Sequence, residues 1–194
     1  RVDNARDNLG RINGLVDRMA ELSRTLLSFA RKPGQATGAV HLGTVIEEAL
    51  LLARPRARKA GVEIRLSGDI DTMRVSGGRV RLGQVFVNLV NNAVDAIGGQ
   101  EGGRVEITAR QSEDVVIVEV SDNGPGIPDA TLQHIFDPFF TTKATGEGIG
   151  IGLSIVDNIV RDFGGKVSAH NGENGGAVFR VELLAADAEA MADA

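Results

Sequence analysis

The sequence predicts an α+β fold: a two-layer α/β sandwich in which helices cover one face of a mixed sheet of about five strands, preceded by one long helix. Three observations predict it. Four long stretches and one short one read as helices, the first and third long ones with a clear apolar stripe. Six shorter stretches read as strands, and "GVEIRLSG" alternates apolar and polar residues as a half-buried strand does. Glycine and proline punctuate the joints between them.

The elements follow in order. Residues 1 to about 31 read as an amphipathic helix. Leu9, Ile12, Val16, Met19, Leu26 and Ala30 recur at three- and four-residue steps, Ser23 fills the gap, and Leu15, Leu22 and Phe29 widen the stripe. Such a stripe needs a partner surface. A linker over 32–39 contains the breakers of "KPGQATG", and the main domain is placed at 40–184. A helix runs from Leu42 to about Lys59, with Pro55 expected to kink or shorten it. "TMRVSG" reads as a short partner strand to "GVEIRLSG". Arg79 to Ile97 is the next helix. "GGRVEITARQ" and "VVIVEVSD" are strands joined as a hairpin at Gln111–Asp114. Residues 123 to about 148 are loop-rich around a short helix near Leu132–Ile135. Gly152 to Phe163 is a helix, "KVSAHN" and "AVFRVELL" close the sheet, and the small, acidic tail at 185–194 is expected to fray.

Composition excludes several functions. The 194 residues are 42% hydrophobic and 24% charged, which is globular. A net charge of −5 argues against a nucleic-acid surface. With no cysteine there are no disulfides, thiolate metal sites or cysteine nucleophiles. No apolar run is long enough to span a bilayer and no signal peptide is found, so the sequence reads as cytoplasmic, or as the cytoplasmic part of something larger, without membrane contact of its own.

Four stretches point to chemistry. "NLVNNAVDAI" (88–97) carries three asparagines in a helix, where asparagine is a poor former. At about 100° per residue, Leu82, Val85, Phe86, Leu89, Val90, Ala93 and Ile97 share one broad face. Gln84, Asn88, Asn92 and Asp95 fall within about 80° of one another, nearly opposite. A neutral amide oxygen can ligate Mg²⁺ without repelling adjacent phosphates; an exposed polar face is the plainer alternative. "DNGPGIP" (122–128) puts Asp122 at a strand end, where a carboxylate could accept from an exocyclic amine, or merely close a turn. "GEGIGIGLSIV" (146–156) places glycine at every second position and then opens a helix, a pattern that suits phosphate at backbone N–H groups but also a flexible hinge. It fits neither a Walker A loop nor G-x-G-x-x-G. Between the last two, "IFDPFFTTK" (135–143) concentrates Phe136, Phe139 and Phe140, which could anchor a mobile lid, and Lys143 could reach a phosphate.

In order and spacing these stretches resemble the ATP-binding domain of bacterial sensor histidine kinases, within the gyrase, heat-shock-90, histidine kinase and MutL superfamily. The resemblance implies a Bergerat-type fold binding ATP and Mg²⁺. "LLSFARKP", "FFTTK" and "IVRDFGG" point to the nitrogen-regulatory and C4-dicarboxylate sensor branch. By position, the resemblance implies that Asn92 is the Mg²⁺ ligand and that Asn88 supports the triphosphate. Asp122 would accept from the adenine amine, with Gly124 and Gly126 shaping the base pocket. Phe136 and Phe140 would belong to the lid, Lys143 would touch the outer phosphates, and Gly148, Gly150 and Gly152 would line them. Asp95, Ile127, Thr141, Thr142, Ile149, Ile151 and Leu153 complete the implied site. Residues 1–31 would be the second helix of a dimerisation hairpin, which implies a homodimer in the full-length protein and a response regulator as partner, with this chain as the cytoplasmic part of an inner-membrane sensor.

Two features separate function classes. ATP-hydrolysing relatives carry Glu where Asn88 stands, and an amide is no base at neutral pH. The family's acceptor histidine sits in a His-Glu motif ahead of residue 1, and His41, His134 and His170 lack that context. The sequence therefore reads as the ATP domain with half a hairpin, donating phosphate to a histidine elsewhere. An ATPase of the same superfamily, or a nucleotide-binding module without turnover, are the alternatives. Gly78 departs from the family's usual Asp and costs the following helix an N-cap. Isoleucines 149 and 151 replace the commoner leucines, a mild change.

Overall fold

The apolar face expected of residues 79–97 does become a core face. In the computed structural model, which describes residues 38–143, 149–173 and 175–186, helix α2 (Arg79–Ile97) buries Leu82, Val85, Phe86, Leu89, Val90, Ala93, Val94 and Ile97. Each large side chain so buried stabilises the fold by about 1.5–3 kcal/mol. The helix closes on Gly98, whose φ of 60° a side chain would resist. Its N-cap is Gly78, with no side-chain acceptor for the first turn, as the loss of Asp there implies.

Helix α1 (Leu42–Ala60) packs beside α2 through Leu42, Val45, Ile46, Ala49, Leu50, Ala53 and Ala57. Pro55 neither ends nor shortens it. The proline lies on the exposed side, where Leu51 is 65% exposed and water can reach the carbonyl left without an N–H partner. The third covering helix is α4 (Gly152–Asp162), which buries Ile155, Val156, Ile159 and Val160. The short helix of the loop-rich region, α3, spans Asp129–Leu132, three residues earlier than expected.

Beneath the helices lies a five-stranded sheet of β2 (Glu63–Ser67), β4 (Arg104–Ser112), β5 (Val115–Asp122), β7 (Ala177–Leu184) and β6 (Lys166–Asn171), in the spatial order β2-β4-β5-β7-β6. Only β2 and β4 run parallel; the other pairs are antiparallel, so the sheet is mixed. Val105, Ile107, Val116, Val118, Val120, Phe179, Val181 and Leu183 form the buried face. The opposite face carries Glu119, Arg180 and Glu182, linked by ion pairs. The fold class is the one expected.

One pairing corrects the sequence reading. "TMRVSG" supplies β3 (Arg74–Gly77), but its partner is β1 (Gly38–His41), in register from Gly38 opposite Gly77 to His41 opposite Arg74. The four residues "GAVH" are too short and too poor in β-formers to announce a strand. Ala185 and Ala186 are also tied down, by bonds to the carbonyls of Asp114 and Arg74. The long helix over 1–31, most of the linker and residues 187–194 of the tail lie outside the described residues.

Candidate functional site

The polar face of α2 looks into a cavity of about 680 Å³. Asn88, Asn92 and Asp95 line it from the helix, Asp122, Ala177 and Phe179 from the ends of β5 and β7, and the segments around 125–143 and 149–153 from the far side. The stripe read from the wheel is therefore a wall. Gln84, one turn earlier, does not reach it. Asn91 does, and its position on the wheel lies about 40° from Asp95, at the stripe's edge. That geometry could have found it.

Asp122 is only 7% exposed. Its Oδ1 accepts from the backbone N–H groups of Gly124 at 2.9 Å and Ala177 at 3.3 Å. Its Oδ2 is buried without any partner. Burial pushes the carboxyl above its ordinary pKa, against the downward pull of those two N–H donors. A buried oxygen left open at the wall of a cavity is costly unless a donor completes it. Asn91, another residue of the cavity wall, also has a buried acceptor without a partner, its Oδ1.

The turn after Asp122 is held by its own Asn123, by Asn171 at the end of β6 and by tight glycines. Asn171 accepts from the Ile127 N–H at 2.7 Å and donates to the Ile127 carbonyl at 2.8 Å. Asn123 accepts from the Arg104 N–H and donates to the Gly102 carbonyl. Gly176, at φ 77°, lies so close that an added Cβ would sit 1.8 Å from the Asp122 carbonyl oxygen. Gly126 and Ile127 line the cavity; Gly124 stands behind Asp122 and against Ala96.

On the far side Phe140, Thr141, Thr142, Lys143, Ile149, Gly150, Gly152 and Leu153 line the cavity. Gly152 sits against the asparagines, and Asn88 Nδ2 donates to its carbonyl at 3.4 Å. At Gly150, with φ 72°, a Cβ would fall 2.5–2.8 Å from backbone atoms of Phe139 and Phe140. Three expected residues do not line the cavity: Gly124 stands behind Asp122, Phe136 is half-buried against the core, and Ile151 is buried beneath the start of α4. Gly148 lies outside the described residues. Lys143 Nζ is bound to Asp95 Oδ2 at 2.5 Å, and Arg56 Nε donates to Asp95 Oδ1 at 2.8 Å. Arg56 had no sequence signal, because only the packing of α1 on α2 brings it to the rim.

A profile of the histidine kinase-, DNA gyrase B- and HSP90-like ATPase family matches residues 77–187. The C4-dicarboxylate transport sensor protein DctB of Pseudomonas aeruginosa is 38% identical over 185 residues, covering 95% of this chain and 30% of that protein. The chain thus spans less than a third of that relative. Among solved structures, the nucleotide-free catalytic domain of the histidine kinase ThkA matches with a TM-score of 0.69 at 37% identity, covering 77% of this chain and 96% of that one. A structure of ThkA in complex with the response regulator protein TrrA matches with a TM-score of 0.74 at 32% identity, covering 90% of this chain and 49% of that one.

Proposed function

Because the chain belongs to the histidine kinase-, DNA gyrase B- and HSP90-like ATPase family, with the catalytic-domain fold of sensor histidine kinases, we propose that it binds ATP with Mg²⁺ and passes the γ-phosphate to a histidine on a dimerisation hairpin. The observation that carries the reading is the open, buried Oδ2 of Asp122, set across one cavity from the amides of α2. The adenine amine is a donor of the right kind for that oxygen, and Gly126 on the cavity wall leaves room for the base.

The donor set also fits a cation that arrives with its nucleotide. Among the described residues no group of three His, Asp or Glu side chains could hold a metal alone. The Asn92 amide would offer one oxygen, and the phosphates and water the others. Bound there, Mg²⁺ supplies neutralisation of the phosphate charge. The residues of the chain bind, orient and exclude water. Asn88 holds an amide where a general base would have to stand, so water gains no activation from it. The nucleophile is instead an imidazole nitrogen. Its lone pair forms the bond to the γ-phosphorus as the bond to the ADP oxygen breaks, and the proton on the other ring nitrogen is lost to solvent. His41, His134 and His170 are not among the cavity-lining residues, and we assign the acceptor to a separate hairpin helix. A homodimer through that hairpin, a response regulator as the next acceptor, a C4-dicarboxylate signal and a place on the cytoplasmic side complete the proposal; the likeness to DctB and to the ThkA complex supports them.

The test mixes the protein, γ-labelled ATP and Mg²⁺ with a hairpin bearing the acceptor histidine. Acid-labile label on the added hairpin, with no steady release of phosphate from the protein alone, is the expected result. Multiple-turnover phosphate release without transfer would instead assign an ATPase.

A further inference from the structure

We infer that Arg56, which the family motifs do not include, is a phosphate-contacting residue of this site, and that Asp95 is a positioning residue that anchors both Arg56 and Lys143 rather than a nucleotide ligand. The inference rests on the ATP reading above.

Three elements meet at this point. Arg56 comes from α1, Asp95 from α2 and Lys143 from the segment that closes the cavity. Asp95, with a side chain 19% exposed, spends one oxygen on each cation: Oδ1 on Nε and Nη2 of Arg56 at 2.8 and 2.5 Å, Oδ2 on Lys143 at 2.5 Å. Both acceptors are thereby occupied, which leaves little for a ligand hydroxyl or amine. The cations are not used up. A guanidinium has five N–H donors and an ammonium three, so each retains several after meeting Asp95.

Charge requires such donors. Among the described lining residues, Arg56 and Lys143 are the only cationic side chains, and Asp95 and Asp122 are both acidic. Without the two cations, Mg²⁺ would be the sole positive charge facing a triphosphate otherwise met by amides and glycine N–H groups. Position agrees. Asp95 lies about one turn beyond Asn92, and Ala96 beside it abuts Gly124 behind Asp122, whereas Asn88 meets Gly152 at the other end. A nucleotide with its base on Asp122 and its outer phosphates near Gly152 would run its sugar and inner phosphates past the cluster. A guanidinium fixed on one edge by a carboxylate presents its free edge to phosphate as a fork.

The test compares MgATP and adenosine, each competed against a fluorescent ATP analogue, in the wild type and in Arg56→Gln, Arg56→Lys and Asp95→Asn, with the melting temperature of each. Arg56→Gln should weaken ATP about tenfold and leave adenosine unchanged. Arg56→Lys should fall between, and Asp95→Asn should also weaken ATP selectively. Unchanged ATP affinity in Arg56→Gln, or an equal loss for adenosine, would overturn the role of Arg56. Tighter ATP binding in Asp95→Asn would overturn the positioning role of Asp95. If the wild type binds neither compound, or Asp122→Asn leaves both affinities intact, the underlying nucleotide reading fails instead.

Discussion

Asp122 joins two opposing dependences on pH in one carboxyl. Its folded pKa lies above the unfolded one. Between the two values the native group keeps a proton that the unfolded chain has lost. Its contribution to stability is full below the unfolded value and is lost as pH rises through the folded one. Nucleotide binding runs the other way, because an N–H donor on Oδ2 favours the ionised form. Asp122→Asn should weaken ATP by about 1.5–3 kcal/mol, ten- to a hundredfold, at neutral pH. The ratio of the two affinities should shrink toward one as pH falls through the raised value. Calorimetric titrations of both proteins from neutral to acid pH measure that ratio, and a ratio independent of pH would contradict the assignment. Asp122 was legible because a strand pattern ended on it and glycines followed. What surrounds it was not. Asn171, which ties down Ile127 from 44 positions away, is an ordinary strand asparagine in the sequence.

Helix α2 was the most legible element, since one period encodes both its faces, and its bounds at Arg79 and Ile97 match the pattern. The short strand β1 was the least, because four residues carry almost no periodic signal and only β3 defines them as a strand. The weak point of α2 is its start. Gly78 has φ −115° and ψ 123°, a cap geometry open to any residue, and an added Cβ would meet only the Phe163 ring, at 3.4 Å. Gly78→Asp should therefore stabilise the domain by about 0.5–1 kcal/mol, combining a side-chain cap with a less flexible unfolded chain. That corresponds to a rise in Tm of about 1–4 °C. Thermal unfolding of the two proteins decides it, and a fall in Tm would show that the carboxylate finds no N–H to accept from.

At the scale of the molecule, the sandwich was legible as a count of strands and helices, but its strand order was not. The sheet places β7 between β5 and β6, and that order alone puts Ala177 and Phe179 beside Asp122. A ligand held between the sheet, α2 and the closing segments should stabilise all three together. At a hundredfold excess over Kd, MgATP should add about 2.7 kcal/mol, a rise in Tm of roughly 5–10 °C. Differential scanning with and without nucleotide measures it, and an unchanged Tm would remove the ATP reading. The contact at Gly150 carries a mechanical consequence. Because the peptide units of Phe139 and Phe140 rest directly on that glycine, the aromatic stretch and the chain at Gly150 behave as two leaves of one shutter, and whatever lifts the first must carry the second with it.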